Sequence, residues 1–204
     1  MKDCCEIRGD VAGRQRQVLS VVLTINVVMF LVEFVGGIVA HSTALLADSV
    51  DMLGDAIVYG FSLYVVGRGA VWQSRGALLK GWIMAIFGAS VLAEVVAKVV
   101  RGAVPAVDLM SGIGLLALIA NAAVLLFLAK RRDDDINMRS AWVCSRNDVI
   151  ANVGVLLAAA AVAITGSAWP DIVMGLMIAA LFGVAAVEVI RGAHGARARL
   201  TPAG

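Results

Sequence analysis

Six apolar runs, each long enough to cross a bilayer, follow one another through almost the whole chain, at about residues 18–40, 43–66, 78–100, 107–129, 140–164 and 171–190. A spanning helix needs roughly 20 mostly apolar residues. Backbone N–H and C=O groups in hydrocarbon find no water, so a run of this length must pair them internally, as a helix. The expected fold is an all-α membrane protein of six transmembrane helices. Breaks at His41–Ser42, Gly67 to Gly76, Gly102 to Pro105 and Thr165 to Pro170 separate the runs. Of the 204 residues, 61% are hydrophobic and 16% charged, whereas water-soluble domains run near about half and about a quarter.

Placement of the basic residues sets an expected orientation. Lys2, Arg8, Arg14 and Arg16, then Arg68, Arg75 and Lys80, then Lys130, Arg131, Arg132 and Arg139, and finally Arg191, Arg197 and Arg199 all fall on one side of the six-span topology. Lys98 and Arg101 stand against them at helix ends on the other side. Lys and Arg collect in cytoplasmic loops, which predicts that both termini are cytoplasmic. The chain then divides into a cytoplasmic tail over residues 1–16, a six-helix transport domain over residues 17–192 and a short cytoplasmic tail over residues 193–204. The Arg/Gly/Ala/Pro stretch after Ile190 is expected to be disordered or to lie at the surface, and Asp133-Asp134-Asp135 reads as a solvated linker. A net charge of +2 is too small to argue for nucleic acid. Cys4, Cys5 and Cys144 are too few for a disulfide framework, and the charged N-terminus does not read as a cleaved signal peptide.

Within the runs sit Glu33, Asp48, Asp51, Asp55, Glu94, Arg146 and Asp148. An ionisable group near a bilayer centre costs a few kcal/mol on insertion scales, so such residues face a cavity or a partner. Asp51 and Asp55 are four apart and project from one face of a helix, with Asp48 on nearly the same stripe. Cys144 and Asp148 repeat that spacing on the fifth run. Two helices that each offer a pair of ligands can assemble a four-ligand shell, and carboxylate oxygen with thiolate sulfur suits zinc-like ions. The two pairs would meet near the midplane if the fifth helix begins early or tilts.

The stretch from His41 through Asp48 and Asp51 to Asp55 resembles the second-helix motif of the cation diffusion facilitator family, and Arg139 through Cys144 and Asp148 to Asn152 resembles its fifth-helix motif. Asn26, Phe30, Glu33 and Gly37 fit the first helix, and Trp169-Pro170-Asp171 to Gly175 the opening of the sixth. The resemblance covers roughly residues 17–192. It implies a six-helix, homodimeric metal/proton antiporter of the cell membrane, multi-pass and of the bacterial plasma-membrane type, whose ligand quartet is Asp51, Asp55, Cys144 and Asp148. No permanent cofactor is implied; the cargo is a divalent ion such as Zn, Cd, Co, Ni or Fe, with protons and membrane lipid as the other partners. Three departures from the family pattern stand out. The position most often His is Cys144, the chain is expected to be a short form without the family's cytoplasmic domain after the sixth helix, and the loop from Gly67 to Leu79 holds no His, Asp, Glu or Cys.

Around that quartet, Asp48 is expected to orient the site, relay protons or make a structural hydrogen bond. Glu33 and Asn26 are expected to hydrogen-bond the second helix, Asn147 and Asn152 to bridge helices, and Arg146 to pair with Glu94 or a loop aspartate. Cys4 and Cys5 could capture a thiophilic metal at the entrance, and His41 could aid release but reads better as a turn residue. Small residues at Gly81, Ala85 and Ala89, and at Gly175, Ala179 and Gly183, predict close packing of the third and sixth helices or of two copies. An intramembrane metallo-hydrolase is the rival class; it is disfavoured because no His lies within a run to ligate or act as base. A metal-binding sensor or accessory subunit is the other alternative, separable by whether the ion moves.

Overall fold

The computed structural model describes residues 3–65, 70–130 and 136–200. Its six helices are α1 (Asp3–Ala40), α2 (Thr43–Val65), α3 (Ala70–Arg101), α4 (Val107–Ala129), α5 (Ile136–Thr165) and α6 (Trp169–Leu200), with no strand among the described residues. α1, α4 and α5 contain apolar stretches of membrane-crossing length, Arg16–Ala40, Val107–Ala129 and Ser145–Thr165.

The surface is arranged for oil. On α4 the buried stripe is Met110, Gly114, Ala117, Asn121, Val124 and Leu128, at the alternating three- and four-residue spacing of one helix face. Leu115, Leu116, Ile119 and Leu126 point outward. Leaving such a side chain in water forgoes roughly 1.5–3 kcal/mol each, so the medium around this face is hydrocarbon. α1 and α5 follow the same rule but bury polar groups: Val22, Asn26, Met29 and Glu33 on one, Ser145, Asp148, Asn152 and Val155 on the other. Large apolar groups outside and small or polar groups inside is the inverse of a water-soluble bundle.

α2 is the central helix and packs against α1, α3, α5 and α6. α1 with α2 and α4 with α5 form a four-helix group, and α3 with α6 forms a pair docked on α2. Two apolar clusters close the bundle. At the end bearing the α1–α2 turn, Ala40, Leu45, Ala47, Val91, Met110, Val155 and Ile178 draw in all six helices. Toward the termini, Val18, Val22, Tyr59, Val124 and Leu128 join α1, α2 and α4, with Trp142 of α5 packed beside them.

Several helices run past the sequence expectation. α3 begins at Ala70, so most of the loop expected from Gly67 to Leu79 is helical, and α6 continues to Leu200 where a disordered or surface tail was expected after Ile190. α1 likewise starts at Asp3, inside the expected N-terminal tail. A helix already formed in the membrane adds one internal hydrogen bond per further residue without a new nucleus, and Ala, Arg, Gln and Leu favour that extension. The linker Asp133-Asp134-Asp135 lies outside the described residues.

Candidate metal centre

The α1–α2 turn fixes where the acids of α2 point. His41 adopts φ 52°, its N–H bonds to Ile38 O at 3.2 Å, and the Ser42 N–H bonds to Gly37 O at 2.9 Å. A left-handed residue with back-bonds of this kind ends a helix and satisfies its last carbonyls. His41 is therefore a turn residue, as expected. A Cβ on Gly37 would stand 2.9 Å from the Leu46 side chain, so glycine there lets α1 and α2 meet closely.

The first N–H groups of α2 are all paired, although helix starts leave four without intrahelical partners. Besides the Ser42 N–H, Leu45 N–H donates to Ser42 Oγ at 3.1 Å. Thr43 N–H and Ala44 N–H donate to the carboxylate of Asp171, at 2.8 and 3.2 Å. Ser42 Oγ and Thr43 Oγ1 donate to the same carboxylate, each at 2.6 Å. Asp171 belongs to the first turn of α6, so one carboxylate sits at the positive ends of two helices. Lys98, in the last turn of α3, completes the junction: its ammonium donates to Asp171 and to the His41 carbonyl, each at 2.5 Å. Both side chains are buried, at 1% and 0% exposure. Sequence reading missed this junction; an acid opening the sixth run and a lysine closing the third, at one end of the topology, were the available signal.

From that anchor α2 carries Asp48, Asp51 and Asp55 down the bundle. Asp51, Asp55 and Asp48 of α2 all lie within electrostatic range of Asp148 on α5. α5 begins at Ile136, early enough to bring Asp148 level with Asp51. Asp48, Asp55 and Asp148 are buried, and Asp51 is partly exposed. Tyr59 donates its hydroxyl to Asp55 at 3.0 Å. The expected ligands Asp51, Asp55 and Asp148 therefore lie on facing helices within electrostatic range of one another. Among the described residues, no three acid, histidine or cysteine side chains close into a complete shell. Cys144 stands one turn before Asp148 on α5, but its side chain lies outside the described residues, as do those of Cys4 and Cys5 on α1.

A polar ladder flanks the acids. Asn152 donates to Asp48 at 2.6 Å, and Asn121 of α4 donates to Asn152 at 3.2 Å. Asn152 bridges helices as expected, and Asp48 has a structural bond. Asn121 was missed, although an amide in the middle of a long apolar run is itself a signal. Other expectations fail. Asn26 donates to Val22 O on its own helix at 2.9 Å, and Glu33 has no hydrogen bond; neither bonds α2. Asn147 is exposed. Arg146 is also exposed, with its guanidinium 5.7 Å from the centroid of the Trp142 ring, and among the described residues it makes no ion pair with Glu94; the loop aspartates, its other expected partners, lie outside the described residues. α3 and α6 do pack together, yet the small residue Gly175 serves α2: a Cβ there would stand 2.9 Å from the Thr43 backbone, while one on Gly183 would meet nothing.

With this geometry in place, comparison with known proteins is informative. The family model described as the cation efflux transmembrane domain matches residues 19–194. The metal cation efflux system protein CzcD of Cupriavidus metallidurans is 24% identical over 181 residues, which cover 83% of this chain and 57% of that protein. The cadmium, cobalt and zinc/H(+)-K(+) antiporter of Bacillus subtilis is 22% identical over 183 residues, covering 83% of this chain and 59% of that protein. The chain therefore spans a little under three fifths of the length of these curated relatives.

Proposed function

The chain belongs to the cation efflux transmembrane domain family, and on that premise we propose that it carries divalent transition-metal ions out of the cell in exchange for protons, by alternating access. The observation that carries this reading is the approach of Asp51 and Asp55 on α2 to the buried Asp148 on α5, within electrostatic range inside an apolar bundle. Carboxyl groups gathered there are held together by a proton or by a cation. A divalent ion held between the same oxygens requires that proton to leave, because ligands bind metal when deprotonated. The same side chains thus exchange cargo for coupling ion.

Asp51, Asp55 and Asp148 are the proposed ligands, with Cys144 as the fourth. Asp48 and Asn152 form the support beside them, held to each other by a hydrogen bond. Zinc, cadmium and cobalt enter through the printed name of the Bacillus subtilis relative, and nickel and iron fit the same donors. The protein is a multi-pass protein of the cell membrane. In the proposed orientation both termini are cytoplasmic and the α1–α2 turn faces outward, so the larger apolar cluster is the outer gate. Two copies associate through their membrane helices, no resident cofactor takes part, and Cys4 and Cys5 pass metal to the entrance. The ion enters from the cytoplasm and displaces the proton; the helices then rock about the site and expose it outward. Protons there compete for the carboxylates and release it.

The test is ion flux in proteoliposomes under an imposed pH gradient. Zinc or cadmium movement should follow that gradient and fall to background in Asp51→Asn and Asp148→Asn. Flux indifferent to the gradient refutes antiport, and wild-type flux in both variants refutes the site.

A further inference from the structure

The polar interior holds a second group of oxygens that the proposed ligand set does not use. Glu33 is 0% exposed, and among the described residues neither of its carboxyl oxygens has a hydrogen-bond partner. Asp48 is equally buried, and its Oδ1 is also unpartnered while Oδ2 is taken by Asn152. Glu33 lies within electrostatic range of Asp48 and of Asp51. The antiparallel register explains why: Glu33 stands eight residues before His41, and Asp48 and Asp51 stand six and nine after Ser42.

Buried polar atoms without partners are rare, and a buried carboxyl left so costs roughly 1–3 kcal/mol, more when charged. No Lys, Arg or His among the described residues is ion-paired with either group; Lys98, at the turn end, is committed to Asp171. Protonation would remove the charge and still leave unbonded acceptors, because among the described residues neither Glu33 oxygen nor Asp48 Oδ1 meets a hydrogen-bond partner. A cation held between α1 and α2 would give these oxygens a partner. Small hard cations are held by one or two carboxylates plus water, at about 2.0–2.6 Å from each oxygen, and an oxygen-only donor set selects hard ions over soft ones.

We propose that Glu33 and Asp48 form a second cation subsite between α1 and α2, closer to the turn end than the Asp51–Asp148 pair, which takes a hard divalent ion through oxygen donors alone. The subsite is a staging position: an ion leaving the ligand set passes to it before reaching the turn end, and its charge opposes return of a second ion. This inference rests on the transport reading for its purpose but not for its existence.

Equilibrium binding of Mn2+ to the purified full chain in detergent tests it, with free Mn2+ read by its electron-spin-resonance signal. The wild type should bind two ions per chain, Glu33→Gln one, Asp51→Asn one, and the double variant none. The ion retained by Glu33→Gln reports that the variant is folded, and Asp48→Asn should lose the same ion as an independent check. A single ion on the wild type that Asp51→Asn removes overturns the subsite and leaves the transport reading standing. Two ions on both Glu33→Gln and Asp48→Asn also overturn the subsite. Two ions on Asp51→Asn refute the proposed ligand set instead.

Discussion

Lys98→Met should destabilise the protein by about 3 kcal/mol, and Asp171→Leu by about 5 kcal/mol, the two ends of the range for breaking a buried ion pair. The asymmetry comes from what each change strands. Without the ammonium, Asp171 keeps the Ser42 and Thr43 hydroxyls, at 2.6 Å each, and the Thr43 and Ala44 N–H groups, at 2.8 and 3.2 Å. It also keeps the positive end of α2, so its charge remains well compensated. Without the carboxylate, the Lys98 ammonium keeps only the His41 carbonyl, and two N–H groups at the start of α2 lose their acceptor. Hydrogen bonds between membrane helices average about 0.6 kcal/mol, so the four lost donor bonds account for roughly 2 kcal/mol and the uncompensated ammonium for the rest. The double variant Lys98→Met/Asp171→Leu removes the stranded charge and should cost less than the sum of the singles, by about 2 kcal/mol or more. Reversible unfolding in mixed micelles, run as a double-mutant cycle, measures all three quantities. Additive singles, or Lys98→Met costing more than Asp171→Leu, would refute the account of Asp171 as an acceptor shared by three helices.

Other expectations follow from the same geometry. Asn152→Ala removes the donor to Asp48 at 2.6 Å and the acceptor for Asn121; maximal flux in proteoliposomes should fall several-fold, with a stability loss of about 1 kcal/mol. Leu45→Ala empties a fully buried place in the cluster that draws in all six helices. It should cost about 2–5 kcal/mol and raise ion leak without a proton gradient, read as uncoupled flux. Cys144→His exchanges a soft donor for a borderline one, so the ratio of cadmium to zinc transport should fall; an unchanged ratio across several ions would remove Cys144 from the ligand set.

Hydropathy along the chain located all six helices, and for α4 it placed both ends at Val107 and Ala129. Elsewhere it measured hydrocarbon thickness and not helix length. α3 and α6 extend by several residues beyond their apolar parts, because solvated turns keep forming internal bonds after the oil ends. Spacing singled out Asp51, Asp55 and Asp148 as ligand candidates, since carboxyl groups four apart in an apolar run have few bland explanations, and the structure sets the α2 pair within electrostatic range of Asp148. It could not find the partner of Asp171. That pairing joins residues on α3 and α6 to the start of α2, and no local period encodes which helix ends meet. Glu33 failed in the opposite way: its place was plain, but an expected hydrogen bond to α2 assumed that proximity means pairing, and its carboxyl lies within electrostatic range of other acids with no hydrogen bond.

The two ends of this arrangement do different work on α2. At the turn, Asp171 and Lys98 bind α2 to α3 and α6 through charged, fully paired groups, and the glycine at 175 brings the α6 backbone against Thr43. Along its length, α2 packs less closely against α5 than against α6, and meets it through the Asp48–Asn152 hydrogen bond with Asp51 in electrostatic range of Asp148. Separating α2 from α6 would take four donors from the buried Asp171 carboxylate and leave two N–H groups at the start of α2 without an acceptor in a low-dielectric interior. Separating α2 from α5 parts groups that an arriving ion or proton can satisfy in turn. In the proposed transport cycle, motion would therefore run along the α2–α5 seam, with α2, α3 and α6 moving as one body, and the proposed ligands stand on the two helices that part.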